Sequence, residues 1–522
     1  MGTGRSLYRG IMKNLLEIAG ILTRRKVAKI EILDGTVLEG QRSKFGEFYA
    51  ALLEGRFRTD QDAAEHLYGC LPTDDRYRKL KSRFRKRLLN TLFFIDANRP
   101  GTGHIESAYH SCQKDWALLQ ILQANGADNT VSQLARQVLQ TALRFGFTDL
   151  VLGAARILRR SAADAGQEVP FQEYDALVRH HSGVLQAEIS AEENYLGVLR
   201  LYQDASAGIA GRYDALSAHC QTLVRLSESF DTPSVHYLMY QAWLLRYEME
   251  KDFEAMLQLA NRALAYTTAH PDSFSADKQR PFGLKQMLAC LHLGDFQSAA
   301  QYAGPVLDLL PPGGEWWFRY LEWYLLLAIR THQHVHGMTI LEQVNTHPAF
   351  RRLEAVEKTK WQTFERYLFY FLLEGEFPDA LKAKVLKSFR LSRFLSEPIV
   401  HPRALRLLTM HQVIAQVLFL LDKGMMAEAA EPVDRLKTLA ARQLDRDRHG
   451  RMGGFVRLLV QLRKADFKPD SLPADSLSYI AAPDTNAAYN GTALDSLEIV
   501  PFEQLWSHLL GKLDHAGAAD TM

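Results

Sequence analysis

Cationic side chains cluster in one short run near the N-terminus of the sequence. Residues 77–96 read YRKLKSRFRKRLLNTLFFID, so the run begins strongly basic and ends almost entirely apolar. No acidic residue lies between positions 76 and 87, and such a surface can contact nucleic-acid phosphates or an acidic protein surface, or can simply be solvated. All three interpretations stay open. The candidate contact residues are Arg76, Arg78, Lys79, Lys81, Arg83, Arg85, Lys86 and Arg87.

If this run forms a helix, one side of it is apolar along the whole length. The residues on that side are Tyr77, Leu80, Phe84, Leu88, Thr91 and Ile95. Beyond Leu88 the other directions also become apolar, through Leu89, Phe93 and Phe94, and a helix that is apolar all round is buried. We therefore expect an exposed basic half followed by a buried half. A membrane-surface helix is disfavoured, because its apolar side must be free for lipid along its length.

Aromatic side chains form a second concentration, between positions 316 and 324. Such a cluster is typical of the core between packed helices, and any exposed members are the first choice for a protein-binding groove. The cluster is therefore interpreted either as core between helices or as part of a binding groove. The candidate groove residues are Trp316, Trp317, Tyr320, Trp323 and Tyr324.

Other stretches contain residue types that bind metals or catalyse reactions, but these residues do not have the spacing that such sites require. The histidines of His332–His336 alternate as strand residues would, but they lie at a predicted turn between helices with no adjacent acidic or cysteine ligand. The four cysteines are far apart in the sequence, as in proteins of a reducing compartment. No phosphate-binding loop, zinc-protease, nucleophile-elbow or EF-hand motif occurs. We expect no catalytic residues, no metal site, no cofactor and no enzymatic activity.

Charge is distributed unevenly along a chain whose overall composition is that of an ordinary globular protein. The net charge of the 522 residues is +2. Residues 1–99 contain 20 Lys and Arg against 12 Asp and Glu, a net charge of +8, which leaves −6 for residues 100–522. No apolar run reaches the roughly 18 to 20 residues that span a bilayer. We expect a cytoplasmic protein without a membrane partner.

Helical periodicity dominates between residues 101 and 463, and within it a turn-and-helix signature recurs. Its third position falls at residues 253, 296, 377 and 426, and a degenerate copy at His336–Leu341 divides the longest gap. A period near 40 residues of paired helices is typical of an α-solenoid. The four stretches are Lys251–Met256, Gly294–Ala299, Gly375–Ala380 and Gly424–Ala429.

This signature resembles the tetratricopeptide repeat. Gly294, Phe296 and Ala299 match its turn-and-helix element best, and Pro311 closes that repeat. The resemblance covers residues 235–460 well and residues 104–234 weakly, and the spacing departs from 34 residues. It implies an all-α solenoid of helical hairpins with a concave surface that holds a peptide, a helix or another protein.

Residues 43–99 read as a separate basic helical module. A helix from about Lys44 to Glu54 ends at Gly55, and a second begins at Thr59, whose side chain and that of Asp62 form a capping pair. That helix ends at Tyr68-Gly69, and the turn at Leu71–Asp74 leads into the basic helix. This order is compatible with a helix-turn-helix.

The same module weakly resembles the winged-helix part of bacterial transcription activators that carry a helical-repeat domain. The matching residues are Ala63-Ala64, Leu67–Gly69 and the run from Leu80 to Leu88. No wing hairpin is evident after Asp96, and the basic helix is long for a member of that group. The resemblance implies nucleic-acid contact through the basic helix.

The remaining segments complete the predicted organisation. Residues 1–42 are expected to hold a helix and a short strand at 27–33, and residues 100–465 the repeats. Residues 466–497, with three prolines, read as a linker. Residues 498–513 are expected to form a C-terminal capping helix with an apolar side. That side comprises Phe502, Leu505, Trp506, Leu509 and Leu510.

Two function classes follow. The first is a non-enzymatic protein–protein interaction scaffold or adaptor, whose repeats bind a protein or peptide partner. The alternative is a nucleic-acid-binding transcriptional regulator that uses the basic helix 76–87, with the repeats as sensor or dimerisation domain.

Overall fold

A computed structural model describes residues 15, 44–54, 56–57, 59–92, 103–203, 209–396, 399, 402, 405–444, 449–472, 476–480, 494 and 497–519. Every regular element within these ranges is a helix, so the described chain is all-α. The predicted strand at 27–33 lies outside the described residues. The chain divides into two compact units, residues 1–181 and 182–522, and this boundary falls within the predicted repeat region.

Among the described residues of the first unit, three helices pack on one another near its N-terminal end, α1 (Lys44–Leu53), α2 (Asp60–Tyr68) and α3 (Asp75–Leu92). The predicted capping box at the start of α2 is confirmed. The Thr59 hydroxyl accepts from the Asp62 N–H, and the Asp62 carboxylate accepts from the Thr59 N–H. Gly69 ends α2 in the left-handed conformation, with φ of 59°, which glycine adopts without steric cost.

Longer helices continue the first unit: α4 (His104–Ala124), α5 (Asp128–Phe145), α6 (Thr148–Asp164) and α7 (Glu168–Gln203), whose last part belongs to the second unit. Helix α5 packs against both α4 and α6. Small side chains on α5 and α6, among them Ala135, Ala142 and Ala154, are fully buried and allow close helix approach.

The second unit is built from further helical hairpins, numbered on from α8. Its helices are α8 (Ile209–Ser229), α9 (Pro233–Glu250), α10 (Phe253–Ala269), α11 (Ala276–Leu293), α12 (Phe296–Leu309), α13 (Glu315–Arg330), α14 (His334–Thr346), α15 (Ala355–Glu374), α16 (Asp379–Ser388), α17 (Leu391–Ser396), α18 (Arg406–Asp422), α19 (Met426–Gln443), α20 (Gly450–Lys464) and α21 (Phe502–Ala519). Three short 3₁₀ turns lie at Pro348–Arg352, Pro469–Ser471 and Ser476–Tyr479. Helices α11, α13, α15 and α18 pack on one another in that order, so successive hairpins stack through their first helices.

One turn geometry recurs in both units. A left-handed residue follows the first helix, and the N–H of the next residue donates to the carbonyl five positions back, as in a Schellman motif. The carbonyl of that next residue then accepts the first hydrogen bond of the second helix. The left-handed residues of these turns are Gly126, Gly146, Gly166, Lys251, Gly294, His332 and Gly424.

The degenerate repeat has a different register from the one predicted. Its left-handed residue is His332, with φ of 60°, and α14 begins at His334. Gly337 therefore occupies the place that Ala299 has in the preceding hairpin, rather than the turn itself. A Cβ atom on Gly337 would lie 3.1 Å from Leu368 Cδ1, so this site needs a small residue for close helix packing.

The turn at Gly375 departs from the common form. Gly375 has φ of −82°, and α16 begins only at Asp379, after Pro378. Because proline lacks an N–H and has a fixed φ, it suits the start of a helix but not the tighter turn of the other hairpins. The sequence signature at Gly375–Ala380 therefore marks a helix connection of another geometry.

Polar side chains connect the stacked first helices inside the second unit. Lys360 Nζ of α15 lies 2.7 Å from a carboxylate oxygen of Glu322 of α13, and both side chains are about 1% exposed. Gln412 of α18 donates to the Thr363 hydroxyl of α15 over 2.9 Å. Because buried polar groups are costly unless paired, these contacts favour one alignment of neighbouring hairpins.

The C-terminal helix α21 packs against α18 and α20, with its predicted apolar side turned inward. Phe502, Leu505 and Trp506 are each about 1% exposed. The segment before it is also anchored, because the His411 ring donates from Nε2 to the Leu497 carbonyl over 3.0 Å. Within the predicted linker, the described residues Phe467 and Ile480 are buried, so both residues pack against the second unit.

Candidate nucleic-acid interface

The N-terminal module positions α3 through a compact core. Tyr77, Leu80, Phe84 and Leu88 are between 0 and 7% exposed, as the predicted apolar side requires. Phe48 of α1 stacks on Phe84 with ring centroids 4.5 Å apart. One side of α3 is therefore fixed against α1 and α2, and its orientation in the module is defined.

Lys81 is not available to a partner, which corrects its prediction as a contact residue. Its Nζ lies 2.5 Å from Asp60 Oδ1, and the side chains are only 11 and 8% exposed. The Tyr77 hydroxyl donates to the same oxygen over 2.7 Å. Burial together with the hydrogen bond to Asp60 raises the pKa of Tyr77 well above its usual value. Lys81 thus belongs to a buried network that ties the start of α2 to α3.

Arg76 and Arg87 are partly engaged within the module. Arg76 donates to both carboxylate oxygens of Asp74, at 3.2 and 3.0 Å. These hydrogen bonds lower the pKa of Asp74. The Arg87 guanidinium lies 4.8 Å from the centroid of the Phe45 ring, a cation–π contact. Arg87 is therefore half-buried, whereas the Arg76 side chain stays 66% exposed despite its ion pair with Asp74.

Five exposed cations lie on the side of α3 opposite the core, and we call them the α3 basic face. They are Arg78, Lys79, Arg83, Arg85 and Lys86. Arg78 is 3.6 Å from the exposed carboxylate of Asp75 in the first turn. The other four form no ion pair with any residue that the structure describes. At 1.5 Å per residue, the face extends roughly 12 Å along the helix.

The second half of α3 is less buried than expected. Leu89 is 40% exposed, although the sequence predicted apolar surroundings beyond Leu88. Phe93, Phe94 and Ile95 lie outside the described residues. Among the described residues, α1 and α2 cover the Tyr77 side of α3, and Leu89 lies on another side of the helix.

The α2–turn–α3 arrangement has the order of a helix-turn-helix with a longer turn. Six residues, 69–74, connect the two helices, whereas three or four are usual in the simplest form of this motif. The second helix carries the α3 basic face. The turn is closed by the Asp74 N–H, which donates to the Leu71 carbonyl over 3.0 Å.

The predicted aromatic groove is largely core. Trp317, Tyr320, Trp323 and Tyr324 are at most 4% exposed and belong to the continuous core of the second unit. Burial raises the pKa of Tyr324 to about 12. Only Trp316 of the five is exposed, at 52%. Helix α13 is covered on nearly all sides because α11 and α15 pack on it, in addition to α14.

The histidines of the His332–His336 segment have packing contacts. The His334 ring is buried and stacks on Phe371 with an interplanar angle of 3°, and His336 packs against Phe296 and Tyr324. Burial lowers the pKa of His334 to about 4. Among the described residues, no three His, Cys, Asp or Glu side chains are placed to hold a metal ion.

Two features of the structure were not anticipated from the sequence. Asp60 reads as an ordinary first-turn acid, and its burial beside Lys81 depends on the packing of α2 on α3. A cavity in the first unit, lined by Trp116 and several arginines, also escaped prediction. The only sequence signal for it is the spacing of Arg156, Arg159 and Arg160 on one helix.

Comparison with known proteins does not place the chain in a family: no family model matches it, and neither does any curated protein or solved structure. Among the helices that the structure describes, none combines the length and apolar character needed to cross a bilayer.

Proposed function

We propose that this protein binds duplex DNA through the α3 basic face, with α2 and α3 acting as a helix-turn-helix. The observation that carries the proposal is the placement of five exposed cations on one side of a helix whose opposite side is anchored in a core. Such a face supplies phosphate contacts and the associated release of counterions.

Shape supports duplex DNA as the ligand. An α-helix with its side chains is about 10–12 Å wide, and the major groove of B-DNA is about 12 Å wide. Arginines on the inserted face can bond guanine edges, while cations at its margins contact phosphates. Ser82 and Asn90, both exposed on the same side, add neutral groups that can read base edges.

A membrane surface is a poorer ligand for the same helix. The apolar side of α3, including Tyr77 and Phe84, is covered by α1 and α2. Leu89 is the one exposed large apolar side chain among the described residues of α3. Insertion into lipid requires a continuous apolar stripe, which this face lacks.

The experiment measures fluorescence anisotropy of a labelled mixed-sequence duplex, about three helical turns long, at salt concentrations between about 50 and 200 mM. The variant changes Arg83, Arg85 and Lys86 together to Gln. Arg87 is left intact, because its contact with Phe45 is structural. We expect tight binding by the wild-type protein and a decrease of about three in the slope of log K against log salt for the variant.

A control variant changes Arg136, Arg225 and Lys437 to Gln. These cations are equally exposed but lie on other helices, so DNA binding should stay within about twofold of wild type. Absence of binding by the wild-type protein at low salt contradicts the proposal. Equal binding of an A-form RNA duplex also contradicts it, because the deep, narrow groove of RNA does not admit a helix.

The scaffold function is the second candidate, and a different observation supports it. The same turn recurs at seven helix connections, and the first helices of four hairpins stack in order. Helical-repeat solenoids bind peptides or protein helices on their concave surfaces, and the stacked hairpins support such a use here. Affinity purification with the Gln variant of α3 separates the two functions, because a protein partner of the hairpins survives that change and a DNA-dependent one does not.

A further inference from the structure

A cavity of about 730 Å³ opens to solvent in the first unit, between α4, α6 and the start of α7. Its volume falls within the range of ligand sites, roughly 300–1,000 Å³. It lies on helices that the proposed DNA contact does not use. The lining residues that matter are Trp116, Gln120, Gln123, Arg156, Ile157 and Phe171.

The floor of the cavity is apolar and depends on one close approach. Trp116 is half-buried, and a Cβ atom on Gly153 would lie 2.5 Å from its Cη2. Glycine at this position therefore lets the six-membered ring of the indole approach the α6 backbone closely. Ile157 and Phe171 extend the apolar surface, which suits a bulky apolar side chain of a ligand.

Arginines surround this floor. Arg159 donates to Asp175 over 2.8 Å and is held in place by that contact. Its hydrogen bond lowers the pKa of Asp175. Arg160 is exposed and 3.9 Å from an equally exposed Asp164. Arg156 is exposed and has no ion pair with a described residue. The rim thus has excess positive charge at defined positions.

We propose that this cavity binds an acidic peptide segment, with an apolar or aromatic side chain on the Trp116 floor and carboxylates on Arg156 and Arg160. The amides of Gln120 and Gln123 lie on the α4 side of the cavity and can bond a peptide backbone. The arginines and the apolar floor favour the same ligand. An acidic segment with one apolar side chain can pair its carboxylates with the arginines and place that side chain on the floor.

A peptide fits the cavity better than a nucleic-acid strand. Asp164 and Asp175 lie among the arginines, so a continuous phosphate chain meets repulsion that separate carboxylates avoid. The six-membered ring of Trp116 lies close against Gly153, whereas nucleic-acid strands are usually bound by successive stacking aromatics. The cavity offers a single indole.

The experiment selects ligands for the immobilised full-length protein from two pools of ten-residue peptides. One pool has Asp or Glu at alternate positions, the other has Asn or Gln there, and all remaining positions are random. We expect enrichment from the acidic pool of peptides with Trp, Phe or Leu near the centre. A selected peptide is then labelled, and its Kd is measured by anisotropy.

The test variant is Arg156→Glu, and the matched control is Arg136→Glu on α5, an equally exposed arginine outside the cavity. We expect at least about a tenfold loss of affinity for the first and less than about a twofold change for the second. Both changes lie at exposed helix positions, and circular dichroism checks that the variants stay folded.

Three outcomes overturn the proposal: no enrichment from the acidic pool, equal affinity of Arg156→Glu, or displacement of the peptide by oligo-dT that binds with the same dependence on Arg156. The last result would identify a single-strand nucleic-acid site instead. Because the α3 variant leaves the cavity intact, failure here is distinguishable from failure of the DNA-binding proposal.

Discussion

A single carboxylate decides how much of the basic run can face a partner. Asp60 Oδ1 accepts from both Lys81 and Tyr77, and the side chains of Asp60 and Lys81 are both buried. Asp60 Oδ2 is buried and has no hydrogen bond to a described residue. Because an ion pair taken out of water is stable only when both partners are present, each depends strongly on the other.

Removing one partner of this pair should destabilise the N-terminal module. We expect Asp60→Ala to cost about 3–5 kcal/mol, because it leaves the Lys81 ammonium buried and unpaired. Native-state hydrogen exchange of peptides covering residues 59–92 measures the loss. The double variant Asp60→Leu/Lys81→Met should recover most of the protection, and unchanged exchange in Asp60→Ala would show that the pair is not structural.

Two buried histidines make the second unit sensitive to acid. Burial lowers the pKa of His334 and of His411 to about 4 in each case. His411 donates from Nε2 to a carbonyl, so Nδ1 of the neutral ring is an acceptor, and the Tyr367 hydroxyl lies 3.4 Å from it and 3.2 Å from the His411 carbonyl oxygen. Protonation of Nδ1 would remove this acceptor inside the core, so the neutral ring is the native form.

The pH dependence follows from these lowered pKa values. Unfolded histidine titrates near 6.5, so the stabilisation is complete above that pH and is lost as pH falls toward 4. The slope is up to about 1.4 kcal/mol per pH unit for each histidine. Urea unfolding followed by tryptophan fluorescence reports on this unit, which contains six of the seven tryptophans.

A substitution of His334 tests the contribution of one of the two histidines separately. His334→Phe retains the stack on Phe371 and removes the titration of His334, so the loss of stability between pH 7.5 and 5 should shrink by up to about 2 kcal/mol. The control His270→Gln changes an exposed histidine of the same unit. If His334→Phe leaves the pH dependence as steep as in wild type, His334 is not one of the responsible groups.

At the scale of elements, the hairpin turn is the repeated unit of construction. Five of its left-handed residues are glycines and two, Lys251 and His332, are not. A residue with a Cβ atom pays roughly 1 kcal/mol or more for this conformation. The Gly294 site has open space around it, so the effect of a substitution there is conformational rather than steric.

Substitutions at two equivalent turns are expected to change the free energy of unfolding in opposite directions. Gly294→Ala should lower the free energy of unfolding by about 1–2 kcal/mol, and Lys251→Gly should raise it by up to about 1 kcal/mol. The matched control is Gly511→Ala inside α21, where no atom obstructs a Cβ and alanine should stabilise by roughly 1 kcal/mol. Urea denaturation measures all three. A stabilising Gly294→Ala would contradict the turn assignment.

At the scale of the whole molecule, the C-terminal helix completes the core of the second unit. Arg330 donates to the carbonyls of Glu498 and Ile499. Arg451 forms ion pairs with Glu498 and Glu503, at 2.5 and 2.8 Å. These contacts join residues more than 40 positions apart, so α21 is part of the fold rather than a free segment.

Two tryptophans provide a matched test of how much α21 contributes to the core of the second unit. Trp506 is 1% exposed on α21, and Trp316 is 52% exposed on α13. We expect Trp506→Ala to cost about 3–5 kcal/mol, because it leaves a large cavity in the core. Trp316→Ala should change stability by about 0.5 kcal/mol or less. Similar effects of the two changes would mean that α21 contributes little to the second unit.

Local signals in the sequence predicted local structure well. The capping box at Thr59, the left-handed Gly69 and the apolar side of α3 each depend on neighbours within a few residues. The turns at Lys251, Gly294 and Gly424 were found for the same reason. The degenerate repeat was placed four residues late, because a histidine rather than a glycine adopts the left-handed conformation there.

The sequence by itself determined the helical character of the described residues, their repeating hairpins and the concentration of positive charge near the N-terminus, because periodicity, turn residues and charge are local properties. Only the tertiary structure decided which side chains are exposed. It buried Lys81 beside Asp60, enclosed four of the five predicted groove aromatics and opened the cavity at Trp116. Exposure depends on which helices pack together, and those contacts join residues that no short stretch of sequence contains.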